Sequence, residues 1–220
     1  LTRLSATRWS IVRAAQGGDA AAVGALCEKY RPAVVGYLAR RGLAGEAEDV
    51  AQEVLLALVQ SALQRADSAS GTFRGLVFSI ARNRLLKHLE KRQAAKRGEG
   101  RTQPLGDEDP AAPPERDSEF DREWLANLLR TATARLAKEH PLSFTALQRF
   151  LMDGVPQATV ATELGIPVEQ VKKQVYRAKR RIARYLREEI WTYAGSRGEY
   201  ESEVRYLSGL LGDALPETEE

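Results

Sequence analysis

The chain has 220 residues, 43% hydrophobic and 29% charged, with 33 Lys and Arg against 30 Asp and Glu. That apolar content supports one large or two small buried cores and excludes a collagenous or wholly disordered chain. No run approaches the roughly eighteen apolar residues of a membrane span, and no apolar segment behind a basic start opens the sequence, so a cytoplasmic protein with no membrane partner is expected.

Catalytic and metal chemistry find no support. There is a single cysteine, Cys27, and only two histidines, His88 and His140. The sequence holds no Gly-rich phosphate loop ending in Lys-Ser/Thr, no paired Cys or His at metal spacing and no Ser/His/Asp set. The expectation is therefore not an enzyme, with no catalytic residues, no metal and no cofactor.

Taken in chain order, the first segment reads as helical throughout. Trp9, Val12 and Ala15 suggest a short helix that Gly17 and Gly18 end. Asp19 then caps a longer one carrying Val23, Leu26, Tyr30, Val34 and Leu38. Pro32 lies inside that run and predicts a kink near Glu28 and Lys29. After Gly42 and Gly45, a helix over about 44–66 buries Val50, Val54, Leu55, Leu58 and Val59. Its other side presents Asp49, Gln52, Glu53 and Gln60, an acidic and amide-rich face. A small polar loop, 67–72, leads to a basic helix over 73–97, with eight Lys or Arg against Glu90 alone. It buries Leu76, Val77, Ile80 and Leu85 and presents Arg74, Arg82, Asn83, Arg84, Lys87 and Arg92.

The sign of the charge then reverses. Residues 98–123 hold nine acidic and three basic residues with four prolines. Such a stretch cannot bury enough surface to offset its ordering entropy, so its first part, to about Asp117, reads as a flexible acidic linker.

Beyond it lies the most telling pattern. A short helix patterned Val155, Val160, Ala161 and Leu164 ends at Gly165, and Pro167 starts a second helix. Val168, Val171, Val175, Ala178, Ile182 and Leu186 form the buried stripe of that helix. Glu169, Lys172, Lys173, Tyr176, Arg177 and Arg180 are left opposite. Residues 165–187 carry eight Lys or Arg and one acidic residue. A Gly-containing turn between two short helices, the second basic from its first turns onward, is the pattern of a helix-turn-helix that reads duplex DNA. Residues 188–220 are acidic again, with Val204, Leu207, Leu210 and Leu211 at helical steps, so an amphipathic helix that needs a docking surface is expected.

No strand alternation occurs, so the fold class is all-α: two small helical domains, 1–97 and 119–190, joined by a linker over 98–118 and followed by a C-terminal helical extension over 191–220.

Three segments in this order resemble the sigma-70 family, extracytoplasmic-function (ECF) group. AEDVAQEVLLALVQ, residues 47–60, is similar to the region 2.2 helix. GTFRGLVFSIARNRLLKHLEKR, residues 71–92, is similar to regions 2.3 and 2.4, and GIPVEQVKKQVYRAKRRI, residues 165–182, to the region 4.2 recognition helix. The resemblance implies a sigma region 2 helical bundle, a sigma region 4 helix-turn-helix, and promoter-specific initiation by core RNA polymerase. It implies polymerase docking, on the clamp of the largest subunit and the flap of the second, with Asp49, Gln52, Glu53 and Gln60 as clamp contacts. For recognising and melting the minus-10 element it implies Phe73, Arg74, Arg82, Asn83, Arg84 and Lys87. For reading the minus-35 element it implies Glu169, Gln170, Lys172, Lys173, Tyr176, Arg177 and Arg180.

The sequence departs from the family pattern at Val59, where Trp is common, and at Lys87, where an acidic residue is often found. Residues 8–42, with LREEI and EVRYLSGLL, resemble a subset encoded beside serine/threonine kinases, which implies such a kinase as a partner; an anti-sigma factor is the other regulator expected. The alternative is a stand-alone helix-turn-helix regulator whose first domain senses a ligand or partner; it leaves the second basic helix and the Asp49 face without a task.

Overall fold

A computed structural model describes residues 20–62, 72–97, 117–194 and 196–211. Among them there are helices and turns and no strand: α1 Ala20–Leu38, α2 Ala47–Ala57, α3 Phe73–Arg97, α4 Ser118–Glu139, α5 Pro141–Ala146, α6 Gln157–Leu164, α7 Val168–Trp191 and α8 Arg197–Leu211. The expected helix around Trp9 and the acidic linker up to residue 116 lie outside the described residues.

The contacts fall into two units. One comprises residues up to Leu125 together with Trp191–Glu201; the other comprises Ala126–Ile190 with the residues from Ser202 onward. This differs from the expected division, which assigned 119–125 to the second domain and 191–201 to a separate extension. Both of those segments belong to the first unit because they carry its aromatic core.

In the first unit α1 packs on α2 and α3, and α2 packs on α3. Helix α1 continues through Pro32, and helical dihedrals are lost later, at Arg41 (φ −85°, ψ 16°) and Gly42 (φ 93°, ψ 11°). Only a residue without a Cβ takes that second conformation cheaply, so the reversal into α2 is set at Gly42, one of the two glycines expected to punctuate the chain there. Val34, Leu38, Leu43, Val50, Val54 and Leu58 are fully or almost fully buried between these helices.

A cluster of rings closes the other side of this core. Tyr30 stacks on Trp124 at 4.6 Å with 10° between planes and meets Phe73 at 5.1 Å. Phe120 contacts Tyr37, Phe78 and Trp124. Tyr193 stands edge-on to Trp124 at 5.6 Å and accepts a 3.3 Å hydrogen bond from its indole N–H. Removing one such large ring from a packed core costs about 3–5 kcal/mol, so the first turns of α4 and the segment after α7 are structural parts of this unit. Asp117 caps α4, its carboxylate accepting the N–H groups of Glu119 and Phe120 at 2.9 and 3.2 Å.

The second unit takes the rest of α4, where Leu128, Ala132 and Leu136 repeat every fourth residue and are buried. Arg135 lies between Glu139 (2.8 Å) and Glu188 (2.6 Å) and over the Tyr185 ring, tying α4 to α7. Burial alone would lower its proton affinity; the two carboxylates outweigh that and raise it. Turn Leu147–Met152 is clamped to α6 by Arg149, whose guanidinium donates to Glu163 at 2.8 and 2.9 Å and to Asp153 at 3.1 Å. In α8, Leu207 and Glu203 are buried, Val204 and Leu211 are half-buried and Leu210 is exposed.

Candidate nucleic-acid and polymerase interfaces

The turn between α6 and α7 follows from its residues. Gly165 adopts the left-handed conformation (φ 63°, ψ 34°), which an L side chain would strain. Its N–H bonds to the Thr162 carbonyl at 3.2 Å, and the Ile166 N–H to the Ala161 carbonyl at 3.0 Å, the paired bonds of a Schellman stop. Ile166 then packs on Val160, Ala161 and Val171 with Phe150, Val155 and Leu164. The Gln157 side chain donates to the Val168 carbonyl at 2.6 Å, linking the start of α6 to the start of α7. These contacts fix the direction in which α7 leaves the turn.

Helix α7 separates packing from charge. Val171, Val175, Ala178, Ile182 and Leu186 are buried as the stripe predicts, joined by Tyr185 and Ile190. Val168, expected in that stripe, is 46% exposed. It is the first helical residue after Pro167, one turn ahead of the point where the stripe meets its partner helix. Glu169, Lys172, Lys173, Tyr176, Arg177 and Arg180 are all exposed, and Gln170 is half-buried. A groove of about 770 Å³ runs along this side from Lys172 to Arg187. Arg180 stands over the Tyr176 ring at 5.9 Å. Arg181, Arg184 and Arg187 also line the groove and were missed by the sequence reading, although their spacing from Lys173, Tyr176 and Arg180 was open to it. Arg181 is partly anchored, donating to Ser143 at 3.1 Å while Ser143 donates to Gln174.

In the first unit, the α3 residues expected at the minus-10 element divide into two groups. Arg82 and Asn83 are exposed and Arg84 and Lys87 half-buried. Phe73 and Arg74 are buried, 7% and 8% exposed. Phe73 packs on Tyr30, and Arg74 is ion-paired with Asp121, itself 1% exposed. Both residues therefore hold the unit together and are not offered to a nucleic acid here. Thr72 caps the helix, its hydroxyl accepting the Gly75 N–H at 3.0 Å, and Glu199 accepts the Phe73 N–H at 3.3 Å.

Helix α2 exposes Asp49, Gln52 and Glu53, and the π-helical turn Leu58–Ala62 that continues it exposes Gln60. Leu56, 53% exposed, sits among them, one turn from Gln52 and one from Gln60. Leu56 interrupts an otherwise acidic and amide-rich face, and the sequence reading passed over it. His88 of α3 lies 3.2 Å from Glu53 and 3.7 Å from Glu46, connecting the cationic helix to this face. On the second unit Leu151 and Met152 are 50% and 69% exposed beside the Arg149 clamp. Among the described residues, no helix is long and apolar enough to cross a membrane, and no group of three His, Cys, Asp or Glu could hold a metal ion.

Residues 26–95 match the sigma-70 region 2 family. The chain is 32% identical over 179 residues to the ECF RNA polymerase sigma factor SigL of three Mycobacterium tuberculosis strains, an alignment covering 80% of this chain and 96% of that protein. That match, with 32% identity along most of both chains, shows that the chain belongs to the ECF group of the sigma-70 family, the factors that direct transcription initiation.

Proposed function

We propose that the first unit docks on the clamp of core RNA polymerase through Asp49, Gln52, Glu53, Leu56 and Gln60 and captures the opened minus-10 element along Arg82, Asn83, Arg84 and Lys87. The second unit reads the minus-35 duplex through the exposed side of α7. Asn83 has the donor and acceptor for a base edge, and the three cations track phosphates. On α7, Arg177 and Lys173 suit guanine in the major groove, while Lys172 and Arg180 grip the backbone. Glu169, Gln170 and Tyr176 complete the reading side. Exposed Leu151 and Met152 suit an apolar contact with the flap of the second large subunit.

The observation that carries this reading is the separation on α7, where Lys172 and Lys173 of the second turn are exposed above a stripe that is buried from Val171 to Leu186. The protein acts by binding, in the cytoplasm at the nucleoid, with no cofactor. Its regulator is an anti-sigma factor or a serine/threonine kinase.

Run-off transcription with purified core polymerase on a promoter library tests the reading. Promoter-specific product is expected with the intact chain and its loss with Lys172→Ala plus Arg177→Ala. Tight duplex binding without polymerase, and no product with it, would favour the stand-alone regulator instead.

A further inference from the structure

We infer that the segment Trp191–Glu201 is a positioning element for promoter opening, fixing the start of α3 through Tyr193 and Glu199. The inference rests on the reading of α3 as the minus-10 helix and adds to it a second, C-terminal contributor.

Two routes lead from this segment to the same residue. Along the first, Tyr193, 1% exposed, stands edge-on to Trp124 and accepts its indole N–H; Trp124 stacks on Tyr30, and Tyr30 packs on Phe73. Along the second, the Glu199 carboxylate accepts the backbone N–H of Phe73 directly. That N–H is one of the helix-start donors with no partner inside the helix, and the positive end of the helix dipole favours an anionic acceptor there. Trp191 stands edge-on to Tyr200 at 5.0 Å, closing the segment on itself, and Lys29 donates to Thr192, tying it to α1 beside Tyr193. Phe73 opens the helix that carries Arg82, Asn83 and Arg84.

A detachable cover would present a small, exposed contact. This segment instead inserts a fully buried ring into the unit's core. Its effect is therefore to hold α3 in one place, and a surface that must catch bases as they unstack depends on such preorganisation. Asp49, Gln52, Glu53 and Gln60 are exposed and lie outside the ring cluster, so polymerase docking should not depend on it.

The test uses the full-length protein with core polymerase and a promoter carrying a fluorescent base analogue in the minus-10 element, with core affinity measured in parallel. Glu199→Ala and Tyr193→Ala should each slow opening by about tenfold, with core affinity within about twofold of wild type. Glu199→Gln, which keeps a neutral acceptor, should recover most of the rate. Wild-type opening rates in both alanine variants would overturn the inference. So would faster opening, or a parallel loss of core binding without rescue by Gln. Should Tyr193→Ala fail to fold, the Glu199 pair decides. Absence of opening by the wild-type holoenzyme on every library promoter would overturn the sigma reading itself, and this inference with it.

Discussion

Arg74 and Asp121, 47 positions apart in sequence, form a buried ion pair inside the first unit. A carboxylate and a guanidinium removed from water need each other: breaking the pair by removing one partner is far more costly than never having had it.

Asp121→Ala or Arg74→Ala should therefore lower stability by about 3–5 kcal/mol, whereas replacing both with apolar residues of similar volume should recover most of that loss. Urea unfolding followed by tryptophan fluorescence checks both. A mild effect of either single change would mean that the remaining charge reaches water.

Gly165→Ala should destabilise the second unit by about 1–2 kcal/mol, and Gly165→Asn by less. A Cβ at this position meets nothing within 4 Å, so the cost is backbone strain alone. Because the turn aims α7, minus-35 discrimination should fall along with stability, as measured by transcription from promoters altered only at that element.

Acid should weaken the second unit. Glu139 titrates below the ordinary carboxylate range because the Tyr185 hydroxyl and Arg135 donate to it, and Glu163 because Arg149 does. The unfolded chain then binds protons first as the pH falls. The stabilisation is complete above about pH 5 and disappears progressively as the pH drops through the lowered folded values. Thermal melts from pH 7 to pH 3 should show Tm decreasing at the acid end, and Glu163→Gln should flatten part of that decrease.

Leu56→Asp should reduce affinity for core polymerase by tenfold or more, about 1.4 kcal/mol, while leaving the melting curve unchanged, because the side chain is 53% exposed. Competition with labelled wild-type protein for core enzyme measures it. Unaltered competition would remove Leu56 from the docking face.

Arg184→Gln plus Arg187→Gln should lower the slope of log affinity against log salt for holoenzyme on promoter DNA by about 1 to 2 without changing base preference. Lys173→Ala plus Arg177→Ala should change the preference itself.

What the sequence made legible followed from local chemistry. The limits of α3 came from a polar loop before Phe73 and a basic run ending at Arg97; the turn at Gly165 came from one glycine, one proline and a change of phase. The buried side of α7 was equally plain, apart from Val168. What escaped depended on contacts distant in sequence. Arg74 has the same local signature as Arg82, and only Asp121 tells them apart. Trp124 and Tyr193 carry no periodic signal that assigns them to the first unit. The boundaries placed between 118 and 119 and between 190 and 191 followed composition, whereas contacts follow where large rings are buried.

The left-handed residue at 165 and the stripe beneath α7 leave Lys172, Lys173, Tyr176 and Arg177 with no packing duty. Each of these four can be exchanged without rebuilding what lies under it. On the proposed reading of α7, duplicated copies of such a gene can drift toward different sets of promoters while every intermediate still folds, and new regulatory circuits then arise from surface substitutions alone.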